Sequence, residues 1–235
     1  YLLFNTAPVL DAANAAQAAK SLQAAEMVIA FSPFQANAEF ADVMLPIAPF
    51  TETGGSFVNA DGRVQSFHGV VRPLGDTRPG WKVLRVLGNL LGLNGFAQES
   101  VEDVRAAAGL NDAGKIAARL SNASSATPQI MAAPAGLQRI ANVPVYATDS
   151  IVRRAPSLQE TADANAPLVA LNAALWAHLG LQEGAKVRVK QGDGSVVLPA
   201  SLDATLAANT ARVSAGHLSI ADLEAVFGTL SIESA

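Results

Sequence analysis

The sequence predicts an α/β protein, with a parallel-sheet portion first and a small closed β-barrel after it. Three observations carry this. Tyr1–Phe4, Met27–Phe31 and Val43–Leu45 are short continuous apolar runs, the pattern of strands in a parallel sheet covered on both faces. An alanine-rich stretch from Asp11 to about Ala25 separates the first two, so strand, helix and strand follow in the order of a right-handed crossover. From Leu168 on, short strands, one short helix and glycine turns alternate over about 70 residues, which suits a small barrel.

In order, Tyr1–Phe4 is the first strand, ended by Asn5-Thr6 and Ala7-Pro8. Asp11 opens the helix, where its charge favours the positive end of the macrodipole. Met27–Phe31 is the second strand, Ala36–Ala41 fits one or two helical turns, and Val43–Leu45 is the third strand. A glycine- and polar-rich excursion follows. Ser56–Asn59 and Arg63–Phe67 can pair as a hairpin across Ala60-Asp61-Gly62. Pro79 starts a helix whose apolar face is Trp81, Leu84, Leu87, Leu90 and Leu91, and Gly92 ends it.

Residues 95–166 read as an extended linker. Helical patches at Val101–Ala108 and Ala113–Leu120 are broken by Gly109 and Asn111, and Ser121–Pro134 reads as a mobile connection. Ile140–Tyr146 and Ser150–Leu158 read as extended segments lying on another surface. Then Leu168–Leu171 is a strand and Asn172 caps the helix Ala173–Leu179, closed by Gly180. Lys186–Lys190 alternates as a half-buried strand, and Gly192-Asp193-Gly194 turns it into Ser195–Ser201. Ala211–Ser214 and Thr229–Glu233 are strands around a helical patch at Ile220–Val226. The domains are therefore 1–94, a linker over 95–166, and 167–235.

Composition excludes several function classes. Of 235 residues, 50% are hydrophobic and 15% charged, so a packed core is expected rather than disorder. With 16 basic against 20 acidic residues and a net charge of -4, nothing favours nucleic acid or an anionic membrane surface. No apolar run approaches the ~20 residues of a spanning helix. The chain has 0 cysteines, which removes disulfides, zinc–thiolate sites and cysteine-held iron–sulfur clusters from it. A buried-type strand at the first residue suggests a portion of a longer protein.

The densest chemistry lies between Ala41 and Phe67, where Glu52, Thr53, Gly54, Asn59, Gly62, Arg63 and Gln65 follow a strand end, the usual place for binding groups. Glu52 fits a general base with a raised pKa. Its structural alternative, a carboxylate taking backbone N–H groups, is preferred because no second acid or nucleophile accompanies it. Arg63 and Asn59 fit a phosphate or heterocyclic amide, or else tie the excursion to its own backbone. His68, His178 and His217 lack the spacing of a helical metal pair, so neither a catalytic nor a metal residue is assigned. Arg153-Arg154, in a charge-poor segment, suits docking onto a neighbouring subunit.

ADVMLPIAPFTETGGSFVNADGRVQ resembles a segment shared across the molybdopterin oxidoreductase superfamily, and Trp81–Leu93 continues the likeness. Leu168–Ile232 resembles that superfamily's C-terminal double-psi barrel. LQRIANVPVYATDSIVRRAPSLQ and RVSAGHLSIADLEAVFGTLSIE resemble more narrowly the C-terminal part of the large iron–sulfur subunits of bacterial NADH:quinone oxidoreductase, respiratory complex I. Asp61-Gly62 replaces the commoner Glu-Gly, and Gly55-Ser56 the usual Gly-Thr.

The complex I resemblance implies a non-catalytic, bracing portion. Iron–sulfur clusters would lie in a part preceding this chain, the ancestral molybdopterin would be lost, and the seven residues of the excursion would be vestigial cofactor contacts. It also implies other peripheral-arm subunits as partners and a place on the cytoplasmic side of the inner membrane, without direct insertion. The alternative is the cofactor-closing part of an active molybdenum or tungsten enzyme such as a formate dehydrogenase. A free-standing barrel adapter is a third reading.

Overall fold

The structure is a computed structural model that describes residues 1–121, 123–129 and 134–235. The chain divides into two compact units. One holds Leu2–Asn5 and the described chain from Met27 to 129, and the other Tyr1, Thr6–Glu26 and the chain from 134 onward. The connection expected over Ser121–Pro134 lies partly outside the described residues.

In the first unit, β1 (Leu2–Phe4), β2 (Ile29–Ser32) and β3 (Val43–Pro46) form a parallel sheet in the order β1-β2-β3. The sheet is parallel as expected, but its faces are not uniformly covered. Phe31 and Ala30 of β2 are buried, whereas Leu2, Phe4 and Val43 on the flanking strands are exposed. An apolar run reports β-propensity and does not say which side chains find a neighbour. Between β2 and β3 the expected helical turns are a non-helical turn, with Asn37 at φ 70. Asp42 fastens this turn by accepting the N–H of Val28 at 2.7 Å.

The excursion forms the predicted hairpin. β4 (Gly55–Val58) and β5 (Val64–Phe67) pair antiparallel, with Val58 opposite Val64. Gly62 turns at φ +75, which favours glycine. Of the helices in this unit, α3 (Gly80–Leu90) begins after Pro79 as predicted. Its Gly88 lets the Phe96 ring lie against the backbone, where a Cβ would collide. Further along, α4 (Val101–Ala107) carries a capping box between Ser100 and Asp103, and α5 (Ala113–Ala117) is capped by Asp112. Thus 95–166 is not an extended linker. The caps supply the local hydrogen bonds that hold short helices in an alanine-rich text.

For numbering in chain order α1 and α2 precede these: α1 (Pro8–Asp11) and α2 (Ala15–Gln23, capped by Asn14) belong to the other unit. That unit is dominated by a closed six-stranded barrel. Its strands are β6 (Leu137–Ile140), β7 (Val169–Leu171), β8 (Lys186–Gln191), β9 (Gly194–Leu202), β10 (Thr210–Val213) and β11 (Gly228–Ser234), ordered β10-β6-β11-β8-β9-β7. The barrel thus begins 30 residues before the expected boundary at 167, because β6 pairs with β10 and β11. A four-residue strand with two polar members has no recognisable alternation. Val169, Leu171, Val187, Val189, Ala211 and Val213 fill the core at 0% exposure. A short helix, α6 (Pro156–Gln159), precedes β7 and α7 (Ala173–His178) follows it.

Candidate functional site

The structure divides the seven predicted site residues. Glu52 ends a 3-10 turn, Phe50–Glu52, and its Oε2 accepts the N–H of Leu74 at 3.0 Å. Thr53 Oγ1 donates to the Gly54 carbonyl at 3.2 Å. Gly69 comes so close that a Cβ there would lie 2.8 Å from the Glu52 carbonyl carbon. Glu52, Thr53 and Gly54 line an open cleft together with Arg72, Arg78, Trp81 and Lys82. The cations of this cleft were not legible as a group, because Arg72 to Lys82 run through an irregular proline-rich stretch.

Asn59, Gly62, Arg63 and Gln65 lie on the hairpin and do not line that cleft. Asn59 Oδ1 accepts the N–H groups of Asp61 at 3.1 Å and Arg63 at 2.8 Å, an Asx-type closure of the turn. Gly62 receives Leu120 and Ile116, and there is no room for a Cβ against Leu120. Arg63 and Gln65 are exposed. So the excursion spends its polar groups on its own backbone, as the structural alternatives for Glu52 and Asn59 anticipated. For Glu52 the bonded turn is 22 residues away rather than adjacent.

The second unit carries polar groups of another kind. Arg139 of β6 is 3% exposed in the barrel. Its Nε donates to Val213 O at 3.2 Å, Nη2 to Ser214 O at 3.2 Å, and Nη1 to Gln191 Oε1 at 3.1 Å and Ala225 O at 2.5 Å. Burial draws its pKa below the ordinary value, yet an arginine remains charged. Gln191 in turn donates to Phe227 O at 3.0 Å. These bonds explain why Ile220–Val226 is not the expected helix. Carbonyls that would accept within a helix are taken by side chains of β6 and β8, and only Leu218–Ile220 forms a 3-10 turn. Asn172 caps α7 at Leu175 N as predicted, and its Nδ2 also reaches the carbonyls of Ala207, Ala208 and Thr210.

Arg153 also departs from its expected role. Its side chain is 10% exposed and cannot present itself to a neighbouring protein. Nε donates to Ala147 O at 2.6 Å and Nη2 pairs with the Asp11 carboxylate. Burial raises the Asp11 pKa, but the Ala7 N–H, the Arg153 guanidinium and the Thr6 hydroxyl together outweigh it and leave it lowered. Arg153 Nη1 is buried and has no partner. Arg153 lines a cavity of about 250 Å³ with Leu10, Pro144, Tyr146, Pro167 and His217. No signal in the sequence links Asp11 to Arg153.

Such a barrel, with a buried donor left unpaired beside a ring-sized cavity, defines a ligand-binding class of protein. Comparison with known families specifies it. Residues 1–90 match the molybdopterin oxidoreductase family and residues 137–226 the molydopterin dinucleotide binding domain. This chain belongs to the molybdopterin oxidoreductase family. Two relatives from Staphylococcus aureus, strains bovine RF122 / ET3-1 and USA300, are each named "Putative formate dehydrogenase". Both are 40% identical over 58 residues, which is 25% of this chain and 6% of the relative. Acetylene hydratase from Pelobacter acetylenicus shares the fold at a TM-score of 0.68 and 16% identity, over 100% of this chain and 44% of that one. The chain therefore spans less than half of that relative's length. The narrower complex I assignment finds no counterpart among these relatives, and the formate dehydrogenase alternative does.

The family implies a molybdopterin cofactor, and the second unit suits part of one. Arg153 Nη1 is an orphaned donor, and the cavity admits a ring. This corrects the expectation that the cofactor relation was lost altogether.

Proposed function

We propose that this chain is the cofactor-closing portion of a molybdenum or tungsten oxidoreductase of the formate dehydrogenase kind. The observation that carries it is the dinucleotide-binding match over 137–226, which coincides with the barrel-forming stretch of the chain. In this reading the barrel is the family's double-psi barrel, and Arg153, His217 and Gln159 hold part of the molybdopterin. When bound, that group supplies the metal through which electrons leave the substrate. The chain's own residues bind, orient and shield it. Arg139 and Gln191 keep the 214–227 segment in place, and the Glu52 and Asn59 hydrogen bonds stiffen the other unit.

The test is metal and pterin analysis of the full-length protein. Stoichiometric molybdenum or tungsten with extractable pterin is expected, and neither being present overturns the reading.

A second reading follows from the resemblance of Leu137–Gln159 and Arg212–Glu233 to the large iron–sulfur subunit of complex I. There the chain braces clusters held elsewhere, beside other peripheral-arm subunits at the cytoplasmic face of the inner membrane. The internally satisfied Glu52 and Asn59 favour it, since neither side chain faces a ligand. Co-purification with NADH:quinone oxidoreductase activity, in a preparation free of molybdenum, tungsten and pterin, is its expected signature.

A further inference from the structure

The cavity beside Arg153 is more specific than a family match. An apolar cavity of about 150 Å³ holds one benzene ring, so about 250 Å³ admits a two-ring heterocycle and falls well short of a dinucleotide. Its walls are largely apolar, from Leu10, Pro144, Tyr146 and Pro167. Arg153 is the one permanently charged residue among those lining it, and Asp11 neutralises that charge.

The polar groups that remain have definite roles. Arg153 Nη1 is a donor with neither partner nor solvent. His217 Nδ1 accepts the N–H of Ser219 at 3.1 Å, so the neutral ring carries its proton on Nε2 and offers a second donor. Gln159 donates its amide to Tyr146 O at 3.1 Å and Val152 O at 2.9 Å, which leaves Oε1 as an acceptor. Two donors and one acceptor in a net neutral, apolar enclosure match a ring carbonyl beside a ring N–H. They do not match an oxyanion, which would face the Asp11 carboxylate across the guanidinium and lack a cation of its own.

We propose that this cavity takes the neutral lactam edge of a flat two-ring heterocycle, the pterin part of the cofactor and not its phosphates, with Asp11 as the positioning residue that holds and neutralises Arg153. The proposal rests on the reading of the barrel unit as cofactor-binding. A lactam oxygen gives the unpaired guanidinium donor its missing partner, and the ring displaces water from apolar walls. Asp11 acts through Arg153 and touches no ligand.

The experiment uses full-length protein from cells unable to make molybdopterin, titrated with free pterin and followed by pterin fluorescence. Inorganic pyrophosphate is the competitor. Saturable pterin binding is expected, with no displacement by equimolar pyrophosphate. R153K keeps the charge beside Asp11 but loses the forked donors, and should weaken pterin at least tenfold while the thermal midpoint stays within a few degrees. D11N leaves the guanidinium unneutralised and should improve pyrophosphate at least tenfold relative to pterin. Pterin binding that is absent, unchanged in R153K, or displaced by pyrophosphate in the unaltered protein overturns the proposal, as does an unchanged preference in D11N. Should the native protein lack molybdenum, tungsten and pterin while free pterin still binds through Arg153, the functional reading fails and the pocket stands. Should the cofactor be present while R153K binds pterin normally, the pocket assignment alone fails.

Discussion

The excursion of residues 50–67 and the barrel around Arg139 and Arg153 use polar side chains in opposite ways. In the excursion they are close together in sequence, half-buried or exposed, and bonded to nearby backbone. Asn59 closes its own turn to Asp61 and Arg63. In the barrel unit polar groups are few, buried, and bonded across long separations. Arg139 meets Ala225, 86 residues on, and Arg153 meets Asp11, 142 residues back. The difference teaches that crowding of polar residues in a sequence marks a turn as readily as a site. A buried donor without a local partner is the stronger pointer, because leaving it unpaired costs free energy that a ligand can recover.

The comparison breaks first at Arg139. R139A would strand Gln191 and three carbonyls inside the barrel and leave a cavity, so a loss of about 3–5 kcal/mol is expected. Urea unfolding of the full-length protein checks it, and a loss below about 1 kcal/mol would mean that the barrel does not depend on this network. Next comes N172A, which removes a helix cap and the donor to three carbonyls. About 1–3 kcal/mol is expected, by the same measurement. In the excursion, N59A should cost no more than about 1 kcal/mol, since its bonds lie at the surface.

Asp11 sharpens the comparison through pH. Its carboxyl pKa is lowered on folding, so its stabilising contribution is present above the unfolded value of about 3.9 and is lost as pH falls through the folded value. D11N should therefore lower the thermal midpoint at pH 7, and the gap from the unaltered protein should close as pH falls below about 4. A gap independent of pH would show that the pair is not ionic. The smallest effect is expected for E52Q, which keeps an acceptor for Leu74 N and should change stability by no more than about 0.5 kcal/mol. Loss of pterin from E52Q protein would return the excursion to the ligand site.

Much of the fold was legible because its signals are local. The three parallel strands, the β4–β5 hairpin with Gly62, the start of α3 after Pro79, the Asn172 cap and the Gly192 turn each rest on neighbouring residues. What was misread depends on distant partners. The barrel took Leu137–Ile140 out of the supposed linker because β10 and β11 supply both its neighbours. The 220–226 stretch lost its helix to Arg139 and Gln191. The candidate site separated into Glu52, Thr53 and Gly54 in a cleft, and Asn59, Gly62, Arg63 and Gln65 on a hairpin, because adjacency along a chain does not set the direction of a side chain.

By itself the sequence determined the α/β-plus-barrel class, most turns and caps, and the kinship with molybdopterin oxidoreductases, since each is written in short-range pattern. Only the tertiary structure decided which polar groups are buried, which of those are paired, and that Asp11 neutralises the arginine of a cavity wall. Burial and charge pairing are properties of residues brought together across more than a hundred positions, and no local spacing encodes them.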